Sequence, residues 1–196
     1  MRVRTIILVG CAVVAYALVD SISVADSRDR STASDSEVLR ATIQKLHAQA
    51  TVIPLEDVNT TACGPPKGHP AIVQADFNGD GHADYAVLLR VGDVKRLREA
   101  AGKTYQLVEV WFVIFMSKAD GTLAGIVLDR FDDDLPLAMV LEIQAPGVIR
   151  AHGSYVHARE VRLKNPGVIR VICEKSAAVF YWDEKNKHLA QVFAID

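Results

Sequence analysis

The chain has 196 residues, 50% of them hydrophobic and 23% charged, with a net charge of −2 at pH 7. That is ordinary globular composition, with enough apolar material for one sizeable core. The nearly balanced charge gives no electrostatic reason to expect nucleic acid or an anionic membrane surface as partner.

At the N-terminus, Arg2 and Arg4 form a positive start. Thr5 to Val19 form an apolar run without a charge, and Ser23-Val24-Ala25 offers small residues for cleavage. This order predicts a secretory signal peptide over residues 1–25. The apolar run is about 15 residues, short of the about 20 that a membrane span requires, so no stable membrane span is expected after cleavage. Leu8-Val9-Gly10-Cys11 also has the form of a lipobox, which would lipidate Cys11. Against that reading, the apolar run continues well past Cys11, where a lipobox should close it. The predicted location is therefore periplasmic or extracellular. Two cysteines remain after cleavage, Cys63 and Cys173. In an exported protein an even pair predicts a disulfide, with two separate buried thiols as the alternative.

Residues 26–36 are polar and charged and read as a flexible linker, leaving 37–196 as a single domain. Val38, Leu39, Thr42, Ile43 and Leu46 recur at helical spacing, with Ser34, Asp35 and Ser36 as capping candidates, so a helix is predicted over about 36–50. Residues 56–70 are loop by composition, and Asn59-Thr60-Thr61 within them is a glycosylation sequon. From Ala71 onward the texture is β. The runs AIVQA, YAVLL, LVEVWFVIFM, LAGIVLD, VIRVIC, AVFYW and LAQVFAI are separated by turn signals such as Asp120-Gly121 and Pro166-Gly167. Residues 93–103 carry Val94, Leu97 and Ala101 at helical spacing, which fits a short helix or a long hairpin arm. PGVIR occurs at 146–150 and again at 166–170, read as two similar turn-to-strand entries. The predicted fold class is α+β: an N-terminal helix, then a mostly antiparallel sheet with hairpins and one calcium-type loop, not a full propeller.

That loop is DFNGDGHADY, residues 76–85. Counted from Asp76, the residues Asp76, Asn78, Asp80 and Asp84 fall at positions 1, 3, 5 and 9, with Gly81 at position 6. Calcium takes six to eight oxygen ligands, and alternate positions of a tight loop can turn their oxygens to one centre. Gly81 allows the sharp turn. His82, at position 7, would contribute its backbone carbonyl. Three carboxylates this close repel each other without a cation. The bland alternative is an Asx-rich turn whose side chains bond its own backbone.

The stretch AIVQADFNGDGHADYAVLL, residues 71–89, resembles the aspartate-rich unit of FG-GAP and VCBS-type repeats, the calcium loops between strands of integrin-like propellers. The resemblance covers about one tenth of the chain. It implies calcium as cofactor, with Asp76, Asn78, Asp80, Asp84 and the carbonyl of His82 as ligands, and with Phe77 and Tyr85 packed beside the loop. The motif occurs once, where a propeller repeats it. Position 12 is Val87 and not the closing Glu of an EF-hand, so binding in the range of about 10⁻⁴–10⁻³ M is expected.

Elsewhere the sequence offers little chemistry. There is no G-x-S-x-G, S-x-x-K or Gly-rich phosphate loop, and no Cys/His spacing of a zinc site. No catalytic residue is assigned. Asp132-Asp133-Asp134 reads as a solvated turn or a weak second cation site. His152 and His157, five apart, would fall on opposite faces of a strand, and His47, His69 and His188 read as surface or turn histidines. Trp111, Phe112, Phe115, Phe180, Tyr181 and Trp182 read as core aromatics. The expected function is that of an exported calcium-binding domain with a structural or binding role towards a protein or glycan partner outside the cytoplasm. The alternative is an envelope hydrolase, or an inhibitor of one, in which the loop is scaffold only.

Overall fold

The computed structural model describes residues 25–66, 68–151 and 159–194. The predicted signal peptide falls outside them except for Ala25, as do His152 and His157. In chain order the elements are helix α1 (Ala25–Leu46), strand β1 (Ala50–Val52), a 3-10 turn (Leu55–Asp57) and the short helix α2 (Thr60–Cys63). Ten strands follow: β2 (Ile72–Ala75), β3 (Asp84–Ala100), β4 (Lys103–Ser117), β5 (Leu123–Leu135), β6 (Met139–Gln144), β7 (Gly147–Ala151), β8 (Arg159–Leu163), β9 (Gly167–Ile172), β10 (Ser176–Asp183) and β11 (His188–Ala194). α1 takes in the polar stretch 26–36. It stops at Leu46 because residues 50–52 pair with β3, Ala50 opposite Val91.

The expected α+β class is corrected. Among the described residues strands far outnumber helical residues, and the protein is built of antiparallel sheets rather than led by a helix. One sheet has β1 and β2 on one side of β3, followed by β4 and β5. The second runs β11-β10-β9-β6, and β7-β8 form a separate hairpin. Two features of the sequence misdirect the reading. First, the helical spacing in residues 93–103 leaves two readings open, and of these the long hairpin arm holds and the short helix does not. Arg96 to Ala100 pair with Lys103 to Leu107, so β3 and β4 make one long hairpin. Its turn places Ala101 at φ 52° and Gly102 at φ 73°, both in the left-handed region that a two-residue type I′ turn requires. Second, the helix does not organise the core. Leu39 and Ile43 of α1 only cover one face of the first sheet, over Val87, Leu89, Trp111, Val113 and Phe115.

The main core lies between the two large sheets. Val108, Val110, Phe112, Ile114 and Met116 of β4 meet Met139, Leu141, Val168, Ala178 and Phe180 there. The far face of the second sheet packs Val179 and Val192 against Val161 and Leu163 of β8. The order of layers is therefore helix, sheet, sheet, hairpin. Arg170 of β9 ties the two sheets together. Its Nη1 lies 2.7 Å from Asp129 Oδ2 of β5, and its guanidinium stacks near the rings of Phe112, Phe131 and Phe180.

Cys63 and Cys173 are paired as a disulfide, with their Cα atoms 5.0 Å apart and a sequence separation of 110. The segment before Cys63 is held by a parallel bridge between Val58 and Leu137. Asn59 of the sequon accepts a hydrogen bond from the Ala62 amide and caps α2. Among the described residues no helix is long and apolar enough to cross a membrane.

Two outcomes follow. Replacing Ala101 by Asn, which tolerates the left-handed region, should raise stability by about 0.5–1 kcal/mol. The check is a higher urea midpoint at unchanged slope. Replacing both cysteines by serine should cost about 4 kcal/mol, from the loop-closure entropy of a span this long. Denaturant titration of the double variant against the oxidised protein measures it.

Candidate functional site

The aspartate-rich segment connects β2 to β3, which pair in register up to Ala75 opposite Asp84. Phe77 anchors it: its ring is fully buried in the core between the sheets. Tyr85, on the adjoining strand, points to the opposite face and packs under α1. Gly79 and Gly81 take φ of 76° and 87°, so the turn is open to residues without a Cβ and strained for others.

Each aspartate has a distinct task. Asp76 gathers the loop backbone. Its Oδ1 accepts from the amides of Gly79 (2.7 Å) and Asp80 (3.1 Å), and its Oδ2 accepts from Gly81 (2.8 Å). Asn78 Oδ1 accepts from the Asp80 amide, and its Nδ2 donates to Asp80 Oδ2 at 2.8 Å. Asp80 Oδ1 accepts from the His82 amide. This amide bond, with the Asn78 bond second, holds the Asp80 carboxyl below its ordinary value.

Asp84 is completely buried. Its Oδ2 accepts from the Phe77 amide (2.9 Å) and its Oδ1 from the Ser117 amide at the end of β4 (2.8 Å). Burial pushes its carboxyl up. The two amide bonds pull the other way, and the charges of Asp80 and Asp76 add a further upward push. Asp84 thus braces the loop against β4, while Asn78 and Asp80 form the solvent-facing side.

The donor types suit a hard cation: carboxylates, a side-chain amide and backbone carbonyls. Each carboxylate oxygen has two lone pairs, and Asp76 Oδ2 and both Asp80 oxygens use one each in these bonds. The described conformation, however, turns these oxygens to the loop's own amides. Among the described residues no group of three His, Cys, Asp or Glu side chains converges on a metal-sized centre. The residue set fits calcium by chemistry. Closing it round an ion requires the Asn78–Asp80 bond to open.

Sequence reasoning missed two neighbours. Asn165, in the turn between β8 and β9, lies directly over Gly79, so close that a Cβ there would come within 2.7 Å of its amide. Glu184, in the turn after β10, accepts from Asn165 Nδ2 (3.1 Å) and pairs with Lys187 (2.9 Å). The only signal in the sequence is Pro166-Gly167, read as a turn, which follows Asn165 directly. A shallow groove beside the loop is lined by Asp35, His82, Tyr85, Ser117 and Lys118. Its Ser117 hydroxyl donates to the Ala83 carbonyl and so serves the loop.

The other acidic run behaves differently. Asp132, Asp133 and Asp134 lie in β5, not in a turn. Lys95 Nζ sits 2.7 Å from Asp132 and 2.9 Å from Glu109, and Arg98 pairs with Asp134. The run is matched to cations of the long hairpin. Comparison with known proteins adds no relative: no family model, curated protein or solved structure matches the chain.

Replacing Asp84 by Ala should cost about 3 kcal/mol, because it strands the buried amides of Phe77 and Ser117. Thermal unfolding in chelator should show this loss. Asp80→Ala, at the exposed side, should leave stability in chelator nearly unchanged.

Proposed function

We propose that the protein is an exported β-sheet domain whose 76–84 loop binds calcium weakly, the ion stabilising the β2–β3 hairpin and serving a structural or binding role outside the cytoplasm. The observation that carries the reading is the arrangement of charge in the loop. Burial raises the Asp84 carboxyl first, the charges of Asp80 and Asp76 add a smaller push in the same direction, and Asp80 and Asn78 remain at the surface. A cation at that surface would relieve the repulsion, with Asp76, Asn78, Asp80 and the carbonyl of His82 as its holders. Asp84 supports this arrangement from below. The disulfide between Cys63 and Cys173 is compatible with an oxidising compartment outside the cytoplasm, where calcium is abundant enough for a weak site.

For a dissociation constant of about 10⁻⁴–10⁻³ M, ten-millimolar calcium should stabilise the fold by about 1–3 kcal/mol. The expected result is a rise of several degrees in the unfolding temperature with calcium, little with magnesium, and none in Asp80→Ala. An unfolding temperature unmoved by calcium overturns the reading and leaves the segment as an Asx turn that satisfies itself.

A further inference from the structure

We propose that β11 is a self-recognition edge, through which two copies of the chain pair antiparallel about a twofold axis at Gln191.

β11 is the terminal strand of its sheet, and among the described residues no strand pairs with its outer side. An open edge presents unpaired amides and carbonyls to any other strand, and proteins normally blunt it with charge. The other edges here are short or charged: β1 and β2 have three and four residues. β5 carries Asp129, Arg130 and Asp132 to Asp134. The outer half of β3 carries Lys95, Arg96 and Arg98. β6 carries Glu142. β11 reads HLAQVFA, without an acidic or a Lys or Arg side chain, and is the one edge strand of more than four described residues of which this holds. It also leaves a large apolar side chain in water: Phe193 is 60% exposed.

The sequence of β11 is self-complementary when reversed upon itself. With Gln191 on the axis, Leu189 stands opposite Phe193 of the second copy, Ala190 opposite Val192, and His188 opposite Ala194. Leu189, Gln191 and Phe193 share one face, because they pair with Trp182, Phe180 and Ala178 of β10. Two copies therefore place the exposed Phe193 ring against Leu189 of the other copy on both sides of a Gln191–Gln191 pair. Apolar pairs opposite one another stabilise a ladder, and no like charges oppose one another in this register. The same operation on the outer half of β3 is penalised. A twofold axis at Leu97 opposes Arg96 to Arg98, and one between Arg96 and Leu97 opposes Lys95 to Arg98. The arrangement is isologous and closes at two copies, as a dimer should.

The test uses charge at the axis. Gln191 is exposed, so Gln191→Lys and Gln191→Glu should fold with an unchanged unfolding temperature. By sedimentation equilibrium, from low micromolar to hundreds of micromolar, the unaltered protein should form a dimer. Each single variant sets like charges opposite each other and should weaken the dimer at least about tenfold. An equimolar mixture of the two variants should restore dimer formation, as a heterodimer. The proposal is overturned if the unaltered protein stays monomeric throughout the range, if neither variant weakens its dimer, or if the mixture remains monomeric.

Discussion

The structure depends on β4 being buried on both faces. From Val110 to Met116 every residue of that strand is buried. Alternate side chains enter the core between the sheets and the layer beneath α1. At about 25 cal/mol per Å² of apolar surface, a strand buried on both sides contributes roughly twice what a half-exposed strand would. It also holds its neighbours: β3 and β5 pair along nearly its whole length. Both ends of the candidate site rest on this frame, the hairpin through β3 and the Asp84 brace through Ser117 at the end of β4.

That placement explains the division of labour among the loop aspartates. A carboxylate buried as completely as Asp84 is tolerated because both its oxygens accept amide bonds. It orders the loop whatever occupies the surface. Asp76 orders the backbone locally. Asp80 and Asn78 are the adaptable pair, held only by each other and by neighbouring amides. A loop built this way is stiff below and open above, which suits a weak site whose occupancy adds to a hairpin already formed.

The contacts between the two large sheets are of unlike kinds. Apolar packing supplies most of the area. Arg170 adds one cation among three phenylalanine rings with an Asp129 partner, and the disulfide joins the α2 segment to the end of β9. Besides Phe77 in the core between the sheets, Asn165 over Gly79 brings the turn into β9 against the aspartate loop. Events in the loop are thus placed to be felt beyond the hairpin that carries it.

By itself the sequence determined the strand runs, the Asp-rich loop and its anchor, because these are local: turn residues, β-branched runs and oxygen spacing act over a few positions. The pairing of Cys63 with Cys173 was also expected, as the two cysteines outside the predicted signal peptide. The sequence could not rank the helix against the sheets. The apolar face of α1 obeys its 3.6-residue period, yet whether it leads a core or covers a sheet depends on partners far away in the chain. Residues 93–103 show the same limit, where a helical spacing yielded to pairing with residues 103–107 across a two-residue turn. Only the tertiary structure decided that Asp84 turns inward to Ser117, that Asn165 seats on Gly79, and that Asp132 to Asp134 meet Lys95 and Arg98. Each of these joins residues 20 or more positions apart, and such contacts are settled by the packing of sheets, which no short window of sequence contains.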